Sequence, residues 1–125
     1  WEEEGVEDAR IVVVAYGVMA RISRAAVRLA RQAGIRAGLL RPITLWPFPS
    51  RAVAALAERA RAFLAVEMSL GQMVQDVRLA VDGRRPVHFF GKAGGVVPTP
   101  REVFERIREL AESLGGQARL RAVSP

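Results

Sequence analysis

The chain has 125 residues, 50% of them apolar and 26% charged, which is enough for one domain with a buried core and excludes wholesale disorder. It has no cysteine and one histidine, excluding a disulfide scaffold, a thiolate nucleophile, a zinc ribbon and a cysteine-ligated iron–sulfur cluster within the chain. The formal charge is +6 but uneven: five of the 13 acids stand in residues 1–8 with no base, so all 19 bases and eight acids lie beyond them, leaving +11 there.

Residues 1–9 are acidic and patternless, and read as a linker or as the remains of an edge strand. Ile11 to Tyr16 is a continuous β-branched run ended by Gly17, as in a strand buried on both faces of a parallel sheet. From Val18 to Ala33 the period becomes helical, with Met19, Ile22, Ala26, Leu29 and Ala33 on one face. Gly34 stands where a left-handed residue ends a helix, and Ile35 to Leu40 is a second strand. Pro42, Pro47 and Pro49 forbid a helix and impose an extended loop that holds Trp46 and Phe48. Ser50 is a candidate cap for a helix over 51–61. Phe63 to Val66 is a third strand that ends at Glu67.

Met68 to Gly71 turns into a helix over 72–82, and Asp82-Gly83 stops it. Pro86 to Phe90 is a fourth strand, followed by the glycine-rich loop 91–95. Thr99, Pro100 and Glu102 form a capping box for a last helix that Gly115-Gly116 ends. The expected organisation is a lead-in at 1–9, an α/β domain at 10–115 and a loose tail at 116–125. Four strand–helix alternations predict a parallel sheet covered by helices on both faces, with the four strands in the order 2-1-3-4. The switch point then lies between the first and third strands, at Tyr16-Gly17 and Glu67-Met68.

Chemistry-bearing residues are sparse. Gly17 alone does not make a dinucleotide fingerprint, and Lys92 lacks the Ser or Thr of a phosphate-binding P-loop. Glu67 at the mouth of the sheet is either an acid, base or acceptor for a ligand, or an acceptor of backbone and Gln72 hydrogen bonds that fix the turn. His88, with no companion ligand, reads as an ordinary strand residue. Trp46 and Phe48 either pin the proline loop or belong to an interface. The arginines form no tract and have no interleaved aromatics, so nucleic acid is not an expected partner. No apolar run reaches membrane-spanning length, and the expected location is cytoplasmic. The first residue is Trp1, which suggests a piece of a longer polypeptide.

Three segments together carry a resemblance: Ile11 to Gly17 (IVVVAYG), Gly38 to Pro49 (GLLRPITLWPFP) and Val66 to Gln72 (VEMSLGQ). They resemble the second core domain of the 2-oxoacid:ferredoxin oxidoreductase alpha subunit, of the 2-oxoglutarate type and related branches. That domain is similar to the C-terminal domain of transketolase. The resemblance implies a three-layer α/β/α fold with a mostly parallel sheet and one antiparallel strand just before the first. For the full complex it implies oxidative decarboxylation of a 2-oxoacid to an acyl-CoA, with thiamine pyrophosphate, Mg, CoA and iron–sulfur clusters, and ferredoxin as electron acceptor. For this domain it implies no catalytic residue, no metal and no cofactor. Its implied partners are the thiamine-binding domain of the same subunit and the beta subunit. Tyr16, Gly17, Trp46, Pro47, Phe48, Glu67, Gly71 and Gln72 are the interdomain or strand-end candidates. Ser69 replaces the Asn usual in that family. The alternative reading is a free-standing flavodoxin-like module that binds CoA or a nucleotide.

Overall fold

The computed structural model describes residues 1–43, 46–68, 71–91 and 96–123, with side chains described through residue 115. Five strands and four helices follow in chain order: β1 (Glu2–Glu4), β2 (Ile11–Ala15), α1 (Val18–Gln32), β3 (Ala37–Arg41), α2 (Ser50–Leu56), β4 (Ala62–Val66), α3 (Gln72–Val81), β5 (Val87–Phe90) and α4 (Pro100–Val123). The sheet order is β1-β3-β2-β4-β5. The four long strands run parallel, in the order expected from the sequence, and β1 pairs antiparallel with β3.

The β-branched run of β2 explains the layers. All five of its residues are buried, and their side chains alternate between faces. Ile11, Val13 and Ala15 join Leu39, Leu64 and Val66 against α1 and α4. Val12 and Val14 join Leu40, Phe63 and Ala65 against α2 and α3. Burying each such Val, Leu or Phe is worth about 1.5–3 kcal/mol, so a central strand apolar on both faces is stable only between two helical layers. The capping box forms as expected: the Thr99 N–H donates to Glu102 Oε1 and the Glu102 N–H donates to Thr99 Oγ1, both at 3.1 Å.

Three expectations are corrected. Ser50 caps nothing: Pro49 occupies the N-cap position with φ −76°, and Ser50 is already the first helical residue. The helix there ends at Leu56 rather than near 61 and gives way to a turn. Gly115-Gly116 does not end α4, and 116–123 is helix rather than loose tail. A helical glycine costs only about 1 kcal/mol, and Gln117, Ala118, Arg119 and Leu120 are good helix formers beyond the pair.

The acidic lead-in is held by arginines. Glu2 lies 3.3 Å from Arg41, and Glu4 3.3 Å from Arg24 and 3.0 Å from Arg28. Arg31 is the hub: it donates to Asp8 at 2.7 Å, to the Gly5 carbonyl at 2.5 Å and to the Ala37 carbonyl at 2.7 Å. The lead-in passes so close to β3 that a Cβ on Gly38 would stand 2.7 Å from the Gly5 carbonyl oxygen, so only glycine fits. The Arg31 hydrogen bond is the main reason that the Asp8 carboxyl titrates below the ordinary value of 3.8. A depressed carboxyl stabilises the fold above its unfolded value, and that stabilisation disappears as pH falls through the folded one. Asp8→Asn is therefore expected to lower the melting temperature at pH 7 and to flatten its decline between about pH 5 and pH 2, which paired thermal melts of variant and parent would measure.

Candidate functional site

Parallel strands bring their carboxyl ends to one edge of the sheet, and the connections that follow them meet there. Tyr16, after β2, is half-buried and packs on the α2/α3 layer. Gly17 is exposed, has φ 60° and stands at the N-cap of α1. After β3 the chain passes Pro42, which is buried, to an exposed Trp46 and a cis Trp46–Pro47 peptide. Phe48 packs on the α2/α3 layer, whereas Trp46 is 91% exposed. The two aromatics that the sequence left undivided between anchor and interface thus separate: Phe48 pins the loop and Trp46 faces out.

Glu67 lies at the centre of this edge and is 0% exposed. Its carboxylate takes the Met73 N–H on Oε1 and the Val74 N–H on Oε2, both at 2.9 Å. These are first-turn amides of α3, which have no partner within the helix and carry the positive end of its dipole. The Glu67 N–H donates to the Phe90 carbonyl at 3.1 Å, so the same residue joins β4, α3 and the end of β5. Gly71 precedes α3 with φ 96°, a left-handed conformation that side-chain-bearing residues rarely adopt. Gln72 is exposed at the first position of α3. Glu67 and Gly71 therefore converge on the β4–α3 turn. Ser69 and Lys92 lie outside the described residues.

The geometry suits positioning rather than proton transfer. Both Glu67 oxygens are hydrogen-bonded to backbone and shielded from solvent. Among the described residues no three His, Asp or Glu side chains converge as a metal site would require. His88 is half-buried on β5; burial first, then Arg106 and Arg78, holds its pKa below the ordinary value.

Among the described residues, this edge exposes several large apolar side chains. Val18 follows β2, Ile43 and Trp46 follow β3, Met68 follows β4, and Val96 and Val97 follow β5; all six are exposed. Trp1 joins them, because antiparallel β1 starts opposite Arg41, the last residue of β3. A cavity of about 590 Å³ opens between Trp1, Ile43, Pro47, Phe48, Pro49 and Arg51. Among the described residues, Leu79 on α3 is the one other large apolar side chain with such exposure. Sequence reasoning singled out Trp46 but missed Trp1, Val18, Ile43, Met68, Val96 and Val97. The available signal was positional: each follows a parallel strand, or precedes the antiparallel one.

Replacing Glu67 by Gln would leave one acceptor oxygen and turn an amide NH2 toward a backbone N–H. Glu67→Gln is expected to lower stability by about 2–3 kcal/mol, the scale of a lost charge-assisted hydrogen bond with a buried donor left unpaired. Urea unfolding of variant and parent would read the difference as a shift in midpoint at unchanged slope.

The ketoisovalerate oxidoreductase subunit VorB of Methanothermobacter thermautotrophicus is 50% identical over 111 residues, spanning 89% of this chain and 31% of that protein. The 2-oxoglutarate synthase subunit KorA of the same organism is 42% identical over 109 residues, 87% of this chain and 29% of that protein. The chain thus spans less than a third of the length of these curated relatives. Among solved structures, a 2-oxoglutarate:ferredoxin oxidoreductase from Magnetococcus marinus with 2-oxoglutarate, coenzyme A and succinyl-CoA bound superposes with TM-score 0.76 at 24% identity, over 86% of this chain and 19% of that one. A split-gene transketolase, described as an inactive beta4 tetramer, superposes with TM-score 0.73 at 18% identity, over 86% of this chain and 40% of that one. Those two likenesses speak to the fold, which is the α/β architecture expected from the sequence. Residues 9–103 match the family described as pyruvate:ferredoxin oxidoreductase core domain II, and a match over that share of the chain places it in that family.

Proposed function

We propose that this chain is an assembly domain of a 2-oxoacid:ferredoxin oxidoreductase subunit, docking through the carboxyl edge of its sheet onto the thiamine-binding parts of the enzyme. The observation that carries the reading is the collection of exposed apolar side chains on that one edge, from Val18 and Trp46 to Val96 and Val97. A patch of this kind, rimmed by polar surface, marks a contact with another protein surface. The short share of its relatives that the chain spans fits a domain within a larger subunit.

In this reading the full enzyme oxidatively decarboxylates a 2-oxoacid to an acyl-CoA in the cytoplasm and passes electrons to ferredoxin. Thiamine pyrophosphate, Mg and CoA are held by the rest of the assembly. Iron–sulfur clusters are held elsewhere too, because their usual ligand is cysteine and this chain has none. The described residues at the carboxyl edge offer no set of metal ligands: the buried carboxylate of Glu67 already accepts from two backbone amides. The domain's part in the chemistry is geometric. The β4–α3 turn and the Phe48-anchored loop hold an apolar surface in fixed shape against its neighbours.

Two outcomes test the reading. The chain purified alone is expected to show no 2-oxoacid-dependent electron transfer to a viologen dye and no thiamine pyrophosphate binding by calorimetry; activity in the isolated chain would refute it. In the full enzyme, Trp46→Ser is expected to weaken subunit assembly at least tenfold on size-exclusion chromatography. The same substitution should leave the isolated chain's stability within about 0.5 kcal/mol, because an exposed side chain contributes little to its own fold.

A further inference from the structure

The opposite edge of the sheet, where the parallel strands begin, is lined with arginine. Arg10 stands directly before β2, Arg36 before β3 and Arg61 before β4. The backbone locks the three side by side. The N–H groups of Arg10 and Ile11 both donate to the Arg36 carbonyl, at 2.8 and 3.2 Å. Those of Arg61 and Ala62 both donate to the Arg10 carbonyl, at 2.7 and 3.1 Å. Three guanidinium-bearing residues therefore start on adjacent strands, about 4.8 Å apart in backbone spacing.

These arginines differ from the others nearby. Arg24, Arg28, Arg31 and Arg41 are answered by the acidic lead-in. Arg84 and Arg85 donate to backbone carbonyls, and Arg59 to the Glu7 carbonyl. Arg10, Arg36 and Arg61 are exposed, and among the described residues none of their side chains has an ion pair or hydrogen bond. Asp8, a carboxylate that feels the charge of Arg36, is committed to Arg31.

A cavity of about 350 Å³ opens between Arg10 and Arg36, floored by Ile35, Ala111 and Leu114, and no carboxylate lines it among the described residues. That volume lies at the small end of the range that holds ligands, about 300–1,000 Å³. Two exposed arginines lining a cavity with an aliphatic floor match an anion of at least two charges joined to a compact apolar body. An extended acidic macromolecule fits less well, because Glu7, Glu58 and Asp82 interrupt the same edge with like charge.

We propose that the Arg10–Arg36 cavity binds a small phosphate monoester, its phosphate on the two guanidiniums and its apolar body on the floor of Ile35, Ala111 and Leu114, with Arg61 adding attraction from the next strand. This site is remote from the apolar edge and independent of the assembly role. The test is titration of the full chain with phenyl phosphate and with inorganic phosphate at low ionic strength, following the amides of residues 10, 11, 35 and 36 and the guanidinium Nε–H signals by NMR. Phenyl phosphate is expected to saturate these signals and to bind at least fivefold more tightly than inorganic phosphate. Arg36→Gln and Arg10→Gln are each expected to weaken binding at least tenfold, whereas Arg78→Gln on α3 should leave it unchanged. Shifts that never saturate, equal affinity for the two probes, or an Arg36→Gln chain that titrates like the parent would overturn the proposal. Both key substitutions are at exposed positions, and an unchanged melting temperature separates loss of binding from loss of fold.

Discussion

A fully buried carboxylate is tolerable only when its oxygens are occupied, and Glu67 meets that demand at the one place where the fold needs a firm corner. Stripping a carboxylate of water costs several kcal/mol unless strong hydrogen bonds replace the lost solvation. Here the replacement is the pair of first-turn amides of α3, groups that would otherwise lack partners themselves. Two desolvation problems cancel each other. The result is a strand, a helix and the end of β5 tied at one residue, with Gly71 supplying the left-handed step that lets the chain turn into α3. What the sequence suggested as either chemistry or scaffold has the geometry of scaffold.

The parallel arrangement then separates two kinds of surface. Every crossover returns the chain to the same starting edge, so residues that precede strands gather on one side and residues that follow them on the other. Arginine occupies the first position and apolar side chains the second. Neither pattern arises from burial, since both sets are exposed. The acidic lead-in runs from one edge to the other. It lies along β3 and α1, with Glu2, Glu4 and Asp8 paired to Arg24, Arg28, Arg31 and Arg41. The net charge of +6 is thus unevenly used: part is cancelled locally by this strap, and part is left standing on the starting edge.

The sequence made the layers legible because burial on both faces leaves a direct mark. The continuous run Ile11 to Ala15 and the helical period of α1 each report their own environment, and four alternations leave few ways to order the strands. Local capping was legible where the chemistry was complete, as at Thr99 and Glu102. It misled where a neighbour overrode it, since Pro49 takes the position that Ser50 would have needed. The glycine pair near the end of α4 misled for a similar reason, because good helix formers on its far side outweigh a modest penalty. Surfaces made of residues far apart in sequence were not legible until strand order was known. Trp1 meets Ile43 only because β1 is antiparallel, and Arg10 meets Arg36 only because β2 and β3 are neighbours.

The absence of cysteine gains its meaning from this geometry. A domain that carried electrons would need ligands for a redox centre at a surface shared with the electron's source. Among the described residues, the carboxyl edge instead exposes aliphatic and aromatic side chains, with the Glu67 carboxylate turned inward. Apolar contact is non-directional and strong over a wide area, which suits the proposed assembly role. For that proposed role, the firm corner at Glu67 and the apolar rim around it are complementary parts of one device. The corner fixes the shape of the edge, and the rim gives that shape something to hold.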